Sequence, residues 1–185
     1  STVFTSADLI VVSPGVPLFM DALAEAKKRG VRIIGEVELA FRFLDTPIIA
    51  VTGTNGKTTT TALLGEILKS CGKSVLVGGN IGTPLIEFVP DTGTNGPAAD
   101  WIVAEISSFQ LEAIETFAPR VALLLNITPD HLDRYRSYEE YIAAKLEIFA
   151  HQTNKDIAVL NRDDQLVTSR TRGIAAAPYY FSRMR

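Results

Sequence analysis

Short apolar runs alternate with helical patterns along this chain. "LIVV" (9–12) predicts a buried strand, stopped by Ser13-Pro14-Gly15. "PLFMDALAEAKKR" (17–29) predicts a helix with Gly30 as its C-terminal stop, "VRII" (31–34) a strand, and "EVELAFRFL" (36–44) a short helix. "IIAVT" (48–52) predicts a strand that runs into a glycine loop and then a helix reaching about Ser70. Further strands are expected at "SVLVGG" (74–79), "WIVAEI" (101–106), "VALLLNI" (121–127) and "DIAVLN" (156–161), with a helix over about 138–150. Doubly apolar strands separated by helices indicate a mostly parallel sheet flanked by helices, an α/β fold. In such sheets ligands bind at the carboxyl ends of the strands.

Composition narrows the classes. Of 185 residues, 46% are hydrophobic, enough for a packed core, and the net charge of -3 gives no basic excess for a nucleic-acid partner. Cys71 is the single cysteine, which excludes an internal disulfide and argues against a cysteine-based metal cluster. Apolar runs such as "VALLL" are strand-sized, too short to span a membrane, and "STVFTSADLIVV" has no basic region ahead of its apolar run. A soluble cytoplasmic protein is the expectation. A composition shift at Asp45-Thr46-Pro47 marks the expected boundary between residues 1–45 and 46–185. Two strands and two helices are too few for an independent core, so residues 1–45 read as the remainder of a larger domain. The Pro- and Gly-rich segment 90–100 holds a second TGTNG, with no Lys-Thr after it, and is expected to be a surface loop.

The glycine loop carries the sharpest chemistry. A common phosphate loop reads G-x-x-x-x-G-K-[ST]; here Val51 stands where its first glycine belongs, and the working part is Gly53-Thr54-Asn55-Gly56-Lys57-Thr58. Glycines let successive N–H groups face an anion, and the following helix adds its positive N-terminus. Lys57 can reach terminal phosphates and the Thr58 hydroxyl can bind Mg²⁺. A plain strand-to-helix turn with a surface lysine is the alternative.

Three later positions fall near strand ends. Glu105 closes an apolar strand, where a carboxylate is costly unless paired or metal-bound, although a solvated strand tip is also possible. His131 lies just past "VALLLNI" and is suited to a divalent metal or a substrate phosphate, or to simple loop packing. Ser137 and Glu140 form a capping-box pattern, and in the helix after them Lys145 interrupts a largely apolar face. A snorkelling lysine is the plain reading; a carbamate made from its neutral amine and CO₂ would be an oxygen ligand. His151 and Cys71 match no metal-site spacing.

Taken together, GTNGKTT after a strand, EISS (105–108), NITPDHLD (126–133) and AAKL (143–146) resemble the ATP-dependent Mur ligases of peptidoglycan synthesis, with folylpolyglutamate synthetases as more distant relatives. "SPGVP" (13–17), "GGNIG" (78–82) and "EISSFQLE" (105–112) are most similar to the members that add D-glutamate to UDP-N-acetylmuramoyl-L-alanine. The resemblance implies a P-loop NTPase-like central domain preceded by part of a Rossmann-like, UDP-binding domain. It implies that Gly53, Thr54, Asn55, Gly56, Lys57, Thr58 and Thr59 hold ATP. Thr58, Glu105, His131 and a carbamylated Lys145 would hold Mg²⁺ or Mn²⁺. Lys57, Glu105, His131 and Lys145 would then be catalytic. Ser13, Gly15, Asn80, Ser107, Gln110 and His131 would lie along the UDP-sugar substrate. It also implies a third domain with no room in this sequence, so the chain reads as a fragment without ligase activity by itself, from an enzyme expected to be monomeric. The alternatives are another ligase of the family and a nucleotide-binding module that does not ligate.

Overall fold

Strand β3 (Ile48–Thr52) is buried at all five positions because both of its faces are covered. Ile49 and Val51 pack with Val103 and Leu125 toward one face, while Ile48 and Ala50 join the larger cluster on the other. Such a strand belongs at the centre of a two-faced sheet. The computed structural model describes residues 2–91, 99–130 and 134–184. In it β3 lies inside a six-stranded parallel sheet with β4 (Val75–Gly79), β5 (Trp101–Glu105), β6 (Val121–Leu124), β7 (Ile157–Asn161) and β8 (Ala177–Phe181). The order is β4-β5-β3-β6-β7-β8. From β3 the chain first runs out to β4 at one edge and returns to β5 beside β3, then crosses to β6 on the other side. The carboxyl end of β3 therefore opens at the point where strand order reverses.

Helix α4 (Lys57–Ser70) follows β3 and covers one face through Leu64 and Leu68. Helices α3 (Glu36–Phe41) and α6 (Tyr138–Leu146) contribute Val37, Ala40, Tyr141 and Ile142 to the core on the other face. A separate two-stranded parallel sheet joins β1 (Leu9–Val12) to β2 (Arg32–Gly35), with α2 (Asp21–Lys28) between them. Its small core of Ile10, Val12, Leu23 and Ala26 also includes Ala113, and Gly35 N–H donates to the Ala113 carbonyl at 2.7 Å. A short helix α1 (Thr2–Thr5) precedes it.

Several expectations need correction. The helix expected from Pro17 begins only at Asp21, because residues 17–20 form a turn in which Met20 N–H donates to the Pro17 carbonyl. The helix expected to reach 150 tightens into a 3-10 turn at Glu147–Phe149. Ser137 caps α6 as expected, accepting from Glu140 N–H at 3.2 Å, but the Glu140 carboxylate accepts from Arg136 N–H, so the reciprocal bond to Ser137 is not made. Helix α5 (Ser108–Leu111), helix α7 (Gln165–Arg170) and strand β8 were not expected at all. The second TGTNG, at 92–96, falls outside the described residues. No helix among the described residues is long and apolar enough to cross a membrane.

Candidate functional site

The glycine loop leaves β3 at Gly53 and enters α4 at Lys57, with Gly56 at the N-cap in the left-handed region, φ 83°. Val51 sits in the buried strand, so the turn begins two residues later than the position of the usual first glycine. Neighbouring segments hold the loop's shape. Asn126, just past β6, accepts from Asn55 N–H at 2.8 Å and donates to the Asn55 carbonyl at 2.9 Å. Thr54 Oγ1 bonds the Thr128 backbone and the Tyr141 hydroxyl, the latter at 3.0 Å. Asn126 stands in a run of apolar residues just after a central strand, and that contrast is the sequence signal that could have found it. Tyr141 had no such signal, since it looks like one more apolar helix position.

Lys57 Nζ donates to the Gly53 and Thr54 carbonyls, both at 3.0 Å, which holds the ammonium over the loop. Thr58 stands in the first turn of α4 and donates from Oγ1 to Glu105 Oε2 at 2.8 Å. Thr59 follows it, exposed. Glu105 is the last residue of β5, in register with Val51 of β3 and Gly79 of β4. It is 2% exposed, and its other oxygen accepts from Asn80 Nδ2 at 2.8 Å. Asn80 N–H also donates to the Glu105 carbonyl at 2.8 Å. A Cβ on Gly79 would lie 2.3 Å from that carbonyl oxygen, and one on Gly78 2.1 Å from the Thr83 carbonyl. The GGN sequence is thus a steric requirement of bringing Asn80 onto Glu105.

Lys145 does not snorkel. Its side chain is 1% exposed, 4.6 Å above the Tyr141 ring, and Nζ donates to the Gly53 carbonyl at 2.9 Å. Tyr141 beside it is equally buried, and the lysine head turns inward to a backbone acceptor. Burial, reinforced by the Lys57 charge and opposed by Asp130, lowers its pKa to about 7. Ser107 and Gln110 bond each other as the N-terminal cap of α5: Gln110 Oε1 accepts from Ser107 N–H at 2.9 Å and Oγ at 3.0 Å. Ser13 and Gly15 lie exposed in the turn after β1. His131 lies outside the described residues. The structure brings together Lys57, Thr58, Asn80 and Glu105, and sets Lys145 beneath the same loop.

The profile of the Mur ligase middle domain matches residues 51–182, from the second residue before the glycine loop through the end of the sheet. The chain belongs to the Mur ligase family. Among curated members, it is 60% identical over 166 residues to the UDP-N-acetylmuramoylalanine–D-glutamate ligase of Geotalea uraniireducens, covering 90% of this chain and 36% of that protein. The ligase of the same name from Syntrophotalea carbinolica is 52% identical over 185 residues, covering all of this chain and 40% of the relative. The chain thus spans about two-fifths of the length of these Mur ligases. Solved structures share the fold. UDP-N-acetylmuramate:L-alanyl-gamma-D-glutamyl-meso-diaminopimelate ligase from Neisseria meningitides superposes with a TM-score of 0.65 at 19% identity, over 95% of this chain and 58% of that one. UDP-N-acetylmuramate-alanine ligase from Thermotoga maritima gives 0.55 at 26% identity, over 94% and 39%.

Proposed function

We propose that this chain is the ATP-binding part of a cytoplasmic, monomeric amide ligase that adds D-glutamate to UDP-N-acetylmuramoyl-L-alanine, giving ADP and phosphate. Residues 46–185 would form its central domain and residues 1–45 part of its UDP-binding domain. The observation that carries this reading is the Thr58–Glu105 pair at the mouth of the phosphate loop, in a chain 60% identical to a relative that bears this name.

Glu105 is a buried carboxylate whose donors among the described residues are the neutral Thr58 hydroxyl and Asn80 amide. Such a charge calls for a cation, and the hydroxyl and carboxylate oxygens suit Mg²⁺ or Mn²⁺. Thr58 and Glu105 would hold that ion, which when bound offsets charge on the phosphate oxygens. The loop from Gly53 to Thr59 cradles the phosphates with its N–H groups, and Lys57 neutralises the γ-phosphoryl group. The L-alanyl carboxylate attacks that phosphorus, ADP leaves, and an acyl phosphate forms. The D-glutamate amine then attacks the acyl carbon, and phosphate departs from the tetrahedral intermediate. Asn80, Ser107, Gln110 and His131 would lie along the UDP-sugar, with Ser13 and Gly15 near its nucleotide end. With a pKa of about 7, Lys145 is partly neutral near pH 7, the form that combines with CO₂. A carbamate there would serve a second metal site with His131.

The test is phosphate release by the protein expressed from its complete reading frame. Release should require ATP, UDP-N-acetylmuramoyl-L-alanine and D-glutamate together. Turnover that proceeds equally with a diamino acid, or that ignores the UDP-substrate, would sink the reading.

A further inference from the structure

Arg134 touches two segments and is carried by a third. Its guanidinium donates to the Gly15 carbonyl at 2.6 Å and the Val16 carbonyl at 3.4 Å, pairs with Glu112 Oε2 at 3.2 Å, and lies 4.3 Å over the Phe109 ring. Gly15 and Val16 belong to the turn after β1, Phe109 and Glu112 to α5 and its C-terminal cap after β5, and Arg134 itself to the segment after β6. The turn is tight: Val16 N–H donates to the Ser13 carbonyl at 3.2 Å, with Pro14 second and Gly15 third at φ 92°, the residues of a type II turn. The footing is rigid. Phe109 stacks on Tyr135 at 6.0 Å, Tyr135 meets Tyr141 edge-on at 5.3 Å, and Tyr141 bonds Thr54 of the glycine loop.

We propose that Arg134 is a positioning residue that holds the turn at 13–16 in place against the ATP-binding domain and so sets affinity for the uridine-nucleotide substrate. This rests on the ligase reading above, in which Ser13 and Gly15 lie near the nucleotide end. The arginine is 16% exposed and Glu112 20%, so water competes little for the contacts. Arg134 uses the planar fork of its guanidinium: two backbone acceptors, a carboxylate and a ring face are met at once. A lysine at 134 keeps the charge but cannot meet all four.

The experiment is steady-state kinetics on the protein from its complete reading frame, as wild type, Arg134→Lys and Phe109→Leu. Both variants should raise KM for UDP-N-acetylmuramoyl-L-alanine, about tenfold for Arg134→Lys and less for Phe109→Leu, while KM for ATP moves by less than about twofold. Isothermal titration with the UDP-substrate alone should show the same order of weakening. Unchanged KM values alongside a lowered melting temperature would overturn the proposal, because Arg134 would then be only a structural staple. Equal rises in both KM values would overturn it as well. A wild type that does not ligate would instead refute the ligase reading itself, and this inference with it.

Discussion

Lys57 and Lys145 donate to the same acceptor, the Gly53 carbonyl oxygen, at 3.0 and 2.9 Å. Lys145 is buried, and the Lys57 ammonium at the same oxygen repels its charge, so Lys145 yields its proton more readily than an exposed lysine.

That arrangement has a pH signature. Burial first, and Lys57 second, bring the Lys145 pKa from its ordinary 10.5 to about 7. Between those values the unfolded chain binds more protons than the folded one, so stability rises with pH across this window. The penalty is fully present below about pH 7. Urea denaturation over this range should show wild type gaining stability relative to Lys145→Met as pH rises. Parallel curves for the two proteins would contradict the burial of an ionisable Lys145.

Glu105→Gln removes a buried negative charge while keeping a side chain of the same shape for Thr58 and Asn80. The expected outcome is a fall in ATP-dependent turnover of about 100-fold or more, with an unchanged or higher melting temperature. Half-saturation by Mg²⁺ should shift upward. Wild-type turnover in the variant would remove Glu105 from the proposed metal site.

Gly79→Ala tests the steric argument for the GGN sequence. The added methyl would strike the Glu105 carbonyl, at a residue whose φ is 106°. Left-handed strain alone costs about 1–2 kcal/mol, and the clash adds to it. Thermal unfolding should show that loss, and nucleotide affinity should fall because Asn80 and Glu105 separate. A variant as stable as wild type would show that the β4–β5 strand ends can relax apart.

Glu38 is a second buried carboxylate. Fully buried on α3, it accepts from the backbone N–H groups of Glu115, Thr116 and Phe117, from the Thr116 hydroxyl, and from Arg42. Burial raises its pKa, but these bonds outweigh burial and bring it down to about 2. Its stabilisation is therefore present above about pH 4.5 and is lost as pH falls toward 2. Glu38→Ala leaves three backbone donors and the Thr116 hydroxyl without their acceptor, and Arg42 with Glu115 alone, for an expected loss of about 3–5 kcal/mol at neutral pH. Denaturant titration measures it, and the deficit should shrink in acid.

Legibility in the sequence followed burial. Strand β3 spans Ile48–Thr52 and α4 ends at Ser70, as the apolar run and the helical spacing predict. Strand β8 left no such trace: Tyr179, Tyr180 and Phe181 are exposed, and Pro178 can stand there because an edge strand has one unpaired side. Helix α7 has six residues and one buried position, Val167, which is too little for a periodic signal.

By itself the sequence determined the parallel α/β architecture, the glycine loop between β3 and α4 and the placing of Glu105 at a strand's carboxyl end, because each is written in contiguous spacing. Only the tertiary structure decided what those groups touch. Lys145 lies on Gly53 across 92 positions of chain, Tyr141 on Thr54 across 87, and Arg134 on Gly15 across 119. Such pairings depend on strand order and side-chain direction, which no local pattern carries. Burial then converts an ordinary-looking helix lysine into a group that titrates near neutrality.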